Sequence, residues 1–276
     1  MHGGIIASAI VPHTPRMGVE ETAPDFVRPL IEGLREFGNW LRSIEPDCIV
    51  LHTTHWVSTF NWYVSAHAEH RGVCVAEEAP DLISGSPYRF PGAPDFASSL
   101  ASLASARGVP FKLNESEHFR WDYGSYVPLS YIDSAGTIPV VTIPTVILSD
   151  LDESMAIGGF VDAVAKQEGK RVAFISSTAL THALVRGPER WPSDERQALD
   201  FRFLKLIEEN EIDAAIEWFP RYAQESVGEM GGRVVASFLG AARVMSTERC
   251  RARRFGEYRQ SSGSGNISFA LSEHLR

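Results

Sequence analysis

The chain has 276 residues, 44% of them hydrophobic, and a formal net charge of −9. That length and apolar content support a sizeable core, and the acidic balance argues against nucleic acid or an anionic membrane surface as the main partner. No apolar run approaches the length of a membrane span. The first residues, Met1-His2-Gly3-Gly4-Ile5, lack the basic start and cleavage site of a secretory signal. Three cysteines, Cys48, Cys74 and Cys250, form no CxxC pair. The expectation is a cytoplasmic protein with free thiols.

In chain order, residues 5–11 form an apolar run ended by Pro12-His13-Thr14-Pro15, a strand handing over to a proline-bracketed loop. Across 25–44, apolar residues at Phe26, Leu30, Leu34, Phe37, Leu41 and Ile44 step by three and four, which predicts an amphipathic helix. Residues 47–51 read as a strand buried on both faces, and the run then turns polar at His52-Thr53-Thr54-His55-Trp56. A helix between two such strands suggests a βαβ unit. Residues 60–66 read as a strand, 71–91 as a long loop rich in Gly, Pro and acidic residues and a candidate lid, and 94–107 as a helix stopped by Gly108.

An aromatic and polar loop, Glu117-His118-Phe119-Arg120-Trp121-Asp122-Tyr123-Gly124, leads to a short helix at 127–132 and a strand at 138–143. A helix at 152–167 closes at Gly169. The buried strand 171–176 then breaks into Ser177-Thr178-Ala179-Leu180-Thr181-His182. Ser193 caps a helix running to about Glu209, with Asp194 and Glu195 in its first turn. Shorter helices are expected at 212–218 and 220–227. Gly228-Glu229-Met230-Gly231-Gly232 precedes an apolar helix through Val234, Val235, Phe238 and Leu239, and two strands, 253–259 and 266–271, end the pattern. No internal repeat or linker divides the chain. The reading is one α/β catalytic domain over 1–276, with a central, mostly parallel sheet flanked by helices and a site at the carboxyl ends of its strands.

Three predicted strands end in histidine: His13, His55 and His182. Two imidazoles with one carboxylate suit non-haem Fe(II) oxygen chemistry, and His13 and His55 sit closest behind their strands. Glu229 lies among glycines, where backbone approaches a site closely; it reads equally as a helix-start glutamate favoured by the macrodipole. His118, in the loop leading to Tyr123, is a candidate substrate contact. His52 reads as structural, His67 and His70 as a surface HxxH pair lacking a third ligand, and Cys48 as a small buried hydrophobe. Trp56 reads as a pocket wall or as core. The Gly263-Ser264-Gly265 turn is no phosphate loop, no dinucleotide fingerprint is present, and the basic run 251–254 is solvated or interfacial.

Five motifs in order, Pro12-His13-Thr14-Pro15, His52-Thr53-Thr54-His55-Trp56, Asp122-Tyr123-Gly124, Leu180-Thr181-His182 and Gly228-Glu229, resemble those of the class III extradiol ring-cleavage dioxygenases. This is the superfamily of the protocatechuate 4,5-dioxygenase catalytic subunit, and the likeness is strongest to its homoprotocatechuate 2,3-dioxygenase and 2-aminophenol 1,6-dioxygenase branches. It spans the chain from Gly4 to the Gly265-Asn266 turn. The resemblance implies Fe(II) held by His13, His55 and Glu229, His182 as the active-site acid and base, and Tyr123 as a substrate-side hydrogen-bonding residue. Protocatechuate-type enzymes carry histidine where Tyr123 stands, which turns the expectation away from protocatechuate and gallate. It implies cleavage of a catechol or 2-aminophenol ring by O2 to a muconic semialdehyde-type product, without an organic cofactor. A homo-oligomer or a pairing with a homologous subunit is implied as well. Two alternatives use the same residues differently: a zinc-dependent hydrolase or zinc-using ring cleaver, and a non-catalytic partner subunit of the same family.

Overall fold

The apolar runs that end in histidine lie side by side. In the computed structural model, which describes residues 3–83, 85–245 and 247–275, the chain begins with β1 (Gly4–Val11), α1 (Arg28–Ser43), β2 (Cys48–Ser58), β3 (Trp62–Ser65), β4 (Glu69–Val73) and β5 (Pro87–Pro91). It continues through α2 (Pro94–Ala106), β6 (Phe111–Asn114), α3 (Tyr123–Ile132), β7 (Val140–Val146), α4 (Leu151–Glu168) and β8 (Arg171–Ser177). The last part holds α5 (Asp194–Glu208), α6 (Ile212–Glu225), α7 (Arg233–Met245), β9 (Arg251–Ser261) and β10 (Ser264–Ser272).

Six strands form one sheet in the order β7-β2-β8-β1-β10-β9. The first four are parallel, and β10 and β9 add antiparallel at the β1 edge. The sheet is therefore mixed: the two tail strands extend the main sheet. Successive residues of the parallel strands point to opposite faces. Ile10, Val50, Val172 and Phe174 join Phe96 of α2, Val161 of α4, Phe219 of α6 and Phe238 of α7. Val11, Ile49, Leu51 and Ile175 join Leu34 and Phe37 of α1 and Val127 of α3 on the other face. Helices cover both faces, which is why these strands carry few polar residues until their carboxyl ends. Among the described residues, no helix is long and apolar enough to cross a membrane.

Several local expectations change. The first helix begins at Arg28 with Pro29 in its first turn, after a separate 3-10 turn at Asp25–Val27. Within the expected loop 71–91, β4 and β5 pair as an antiparallel hairpin; proline at both ends of β5 hid it, since proline is tolerated only at such margins of a sheet. The sequence reading assigns no strand to 111–114, yet β6 pairs there with β3; its apolar/polar alternation, Phe111-Lys112-Leu113-Asn114, is only four residues long. Helix α6 is continuous with Pro220 inside it, because Phe219 and Tyr222 on either side are fully packed. Tyr123 and Gly124 open α3 instead of ending a loop, since Asp122 caps that helix by accepting from Ser125 N. His70 is buried, its Nε2 3.0 Å from the Val140 carbonyl oxygen, and burial pulls it down to about 4; the surface reading of that histidine is corrected.

Helix α7 packs on α4 and β1 at a crossing that has no room for a side chain. A Cβ on Gly240 would lie 1.8 Å from the Met155 oxygen, and one on Gly158 would lie 2.1 Å from Ala241 N. This approach sets where α7 starts, and so where Glu229 stands. Gly240→Ala is expected to force the helices apart and to lower stability by about 1–3 kcal/mol, the usual cost of overpacking, read as a shift in the urea midpoint at unchanged slope.

Candidate metal centre

The sheet order places β8 between β2 and β1, so three neighbouring parallel strands end at one mouth. His13 follows β1 by two residues. On β2, Thr53 pairs with Pro144 and Val57 with Thr145, which leaves Thr54, His55 and Trp56 without partners on β7. This bulge lifts His55 out of the ladder, the usual effect of extra residues on one strand. The carboxyl end of β8 supplies Ser177, Thr178 and Ala179. Glu229 arrives from the other side of the chain, in a turn where Met230 and Gly231 both adopt left-handed conformation (φ 48° and 67°) before α7 begins.

His13 Nε2 and His55 Nε2 lie 3.1 Å apart. Glu229 Oε1 is 3.4 Å from the first and 3.7 Å from the second. Donor atoms of these three residues lie within 4.8 Å of one another, a cluster among the described residues that could hold a metal ion. The other end of each group is occupied. Ser177 Oγ donates to the Gly124 oxygen at 2.5 Å and so accepts from His13 Nδ1 at 3.1 Å. His55 Nδ1 donates to Glu78 Oε1 at 2.9 Å. Glu229 Oε2 accepts from Ala179 N at 2.7 Å and from the Thr178 hydroxyl at 3.1 Å. Two imidazoles thus present Nε2 lone pairs, and one carboxylate presents a single oxygen, to the same point.

The carboxylate is buried at 3% exposure. Burial alone would raise Glu229, but His13, then His182 and His55, overcome it and hold the carboxyl well below the usual range. Burial first, and the neighbouring His13 next, lower His55. Glu229 is therefore an ionised oxygen donor and His55 is biased toward its neutral form, the states in which such groups bind a divalent metal.

His182 Nε2 stands 3.2 Å from Glu229 Oε1 on the cavity side, outside the three-residue set. The Tyr123 ring lies 4.0 Å from that of His55, centre to centre. Burial, and then the charges of Glu78 and Glu229, push its phenol up, so it remains protonated. His13, His55, His182, Tyr123 and Glu229 all line one cavity of about 220 Å³. An apolar cavity of roughly 150 Å³ holds benzene, so this one admits a single substituted ring.

Other predicted residues lie elsewhere. His118 does not line this cavity: its side chain is 85% exposed beside Glu117 and borders an adjoining recess that is also lined by His55, Glu78 and Tyr123. Trp56 borders that same recess and packs on Phe119. His52 turns to the opposite face of the sheet, its Nδ1 2.7 Å from Ser237 Oγ, and burial pulls it down to about 3. Cys48 is buried as expected. The turn after β9 uses Ser262 and Gly263, both with positive φ, as a two-residue hairpin requires. In the basic run, Arg253 pairs with Glu36 and Arg254 with Glu208. Sequence reasoning assigned no role to Ser177, Thr178 or Glu78. For the first two the available signal was hydroxyls at the end of a buried strand aligned with a ligand loop; Glu78 carried none.

Residues 7–271 match the family described as catalytic LigB subunit of aromatic ring-opening dioxygenase. The chain is similar to the 3,4-dihydroxyphenylacetate 2,3-dioxygenase of Escherichia coli, at 24% identity over 86% of this chain and 90% of that one. It is similar at 23% identity to the 2-aminophenol 1,6-dioxygenase beta subunit of a Pseudomonas species, over 83% of this chain and 82% of that one. The alpha subunit of that enzyme is 24% identical over 75% of this chain and 79% of its own length. Among solved structures, an uncharacterized protein of Escherichia coli K12 superposes with a TM-score of 0.66 at 16% identity, over 96% of this chain and 99% of that one, a likeness of fold alone.

Beneath the His182 loop, Asp200 of α5 accepts from Tyr222 at 2.7 Å, from Tyr258 at 2.6 Å and from Thr181 N at 3.3 Å. Burial pushes its carboxyl up to about 7, against the pull of those three donors. An unfolded aspartate titrates near 3.9. The folded carboxyl keeps its proton to higher pH, so its stabilisation is complete below about pH 4 and is lost as pH rises to about 7. Relative to Asp200→Asn, the wild type is expected to lose stability over that window, by about 4 kcal/mol at most. Urea unfolding of both proteins at the two ends of the range measures it; a difference independent of pH would refute the assignment.

Proposed function

We propose that this chain, which belongs to the family of catalytic LigB subunits of aromatic ring-opening dioxygenases, is an Fe(II)-dependent extradiol enzyme acting on a catechol or 2-aminophenol derivative. The observation that carries the reading is the convergence of His13 Nε2, His55 Nε2 and Glu229 Oε1, with the remaining polar atom of each already engaged. Two nitrogens and one carboxylate oxygen on one side of an ion leave adjacent positions free, the arrangement suited to Fe(II) and oxygen. Bound there, Fe(II) supplies a seat for the two ring heteroatoms and for O2 and the means to pass electrons between them.

The chain's own residues position the ring and move protons. His182 faces the cavity with 28% of its side chain exposed, where it takes the proton of the ring hydroxyl and returns one as the ring opens. Tyr123, packed on His55, forms the wall against which a ring heteroatom is held by the phenol oxygen. Ring opening beside the two heteroatom-bearing carbons consumes both atoms of O2 and gives a muconic semialdehyde or its amino counterpart. The names of the similar enzymes, one acting on a dihydroxyphenyl compound and one on an aminophenol, support this pair of substrate classes. A complete donor set supports a catalytic subunit over a non-catalytic one. We place the protein in the cytoplasm, acting through one catalytic domain over 1–276, as a homo-oligomer or paired with a homologous subunit.

His13→Ala and His55→Ala are expected to lose bound iron. His182→Ala should keep it while turnover falls by about 10²–10⁴, the range for a lost general acid and base. Metal analysis of the purified variants, with oxygen uptake on a panel of catechols and 2-aminophenols, measures both. Full activity in His55→Ala, or equal oxygen uptake with zinc in place of iron, would rule the reading out.

A further inference from the structure

We propose that Glu78 is the positioning residue for His55, and that the segment carrying it is a working part of the metal centre. The inference rests on the metal-binding reading above. The two ligand imidazoles are oriented by different means. His13 is held by Ser177, a hydroxyl at the end of a central strand. Among the described residues, His55 Nδ1 meets only Glu78 Oε1, 2.9 Å away. A carboxylate accepting from Nδ1–H fixes the tautomer, leaves Nε2 free for the ion and strengthens it as a donor.

Glu78 lies outside the main sheet, on the stretch between β4 and β5. That stretch is seated: Ala76, Ala79 and Ile83 are buried, and Ile83 lies so close to Gly18 that a Cβ there would fall 2.1 Å from it. Ala79 lines the same cavity as the ligands. Tyr123 and Glu78 line the same cavity, and the charge of that carboxylate helps push the phenol up. One carboxylate therefore stands beside both a metal ligand and the wall the substrate meets, and it is borne by a loop. The scaffold holds His13 and Glu229; the loop holds His55. Metal retention then depends on whether this segment is in place.

The test is an anaerobic titration of the metal-free full-length protein with Co(II), followed by its visible spectrum. Glu78→Ala is expected to bind Co(II) about 10–100-fold more weakly, the usual effect of losing such a partner. Glu78→Gln keeps an accepting oxygen without the charge and should recover part of the affinity. The Glu78 side chain is 54% exposed, so the metal-free Glu78→Ala protein should melt with the wild type, which separates a site defect from a folding defect. Co(II) affinity in Glu78→Ala indistinguishable from wild type would overturn this proposal alone. Failure of the wild type to bind Co(II) would overturn the metal centre itself, and this proposal with it.

Discussion

The structure turns on how one carboxylate is divided. Glu229 Oε2 is gripped by the Ala179 amide and the Thr178 hydroxyl, while Oε1 faces three imidazoles. A buried carboxylate without partners costs several kcal/mol and would neutralise instead. Here the backbone at the end of β8 satisfies one oxygen, so the other can stay charged and pointed inward. The arrangement demands two things of the fold. The end of β8 must lie between the two histidine-bearing strands, and α7 must begin at its mouth.

Both demands are met by packing far from the chemistry. The parallel order β2-β8-β1 brings three strand ends together, and the bulge after Thr53 turns His55 from a ladder residue into a cavity residue. The glycine-mediated crossing of α7 on α4 sets the helix. The left-handed turn at Met230 and Gly231 lets the chain reverse immediately after Glu229. Asp122 reinforces the other wall: it caps α3 and also accepts from Thr53 on the strand that carries His55. The centre is thus held by the end of β8 on the side of His13 and Glu229, and on the side of His55 it is completed by a residue from a peripheral segment.

Much of this was legible before any coordinates. Buried strands announce themselves by unbroken apolar runs, and a histidine just past each run lies at the ligand-binding edge by topology alone, which is why His13, His55 and His182 stood out. Glu229 was undecided on local grounds, because its role depends on a contact with residues 178 and 179, fifty positions away, and on positive φ at a methionine that no pattern predicts. Glu78 was one of 35 acidic residues in a stretch without periodicity, so nothing in its neighbours marked it. His118 shows the reverse: closeness in sequence to Tyr123 suggested the cavity, yet the loop carries its side chain outward. The hairpin of β4 and β5 was masked because proline and glycine, the residues that usually signal loops, sit inside it.

Crystals loaded anaerobically with Fe(II) can be measured at the iron absorption edge to locate the metal without assumption. One iron peak bonded to His13 Nε2, His55 Nε2 and Glu229 Oε1 is expected, with His182 left free to face the substrate. Iron found elsewhere, or bound there with Glu229 turned away, would contradict the assignment.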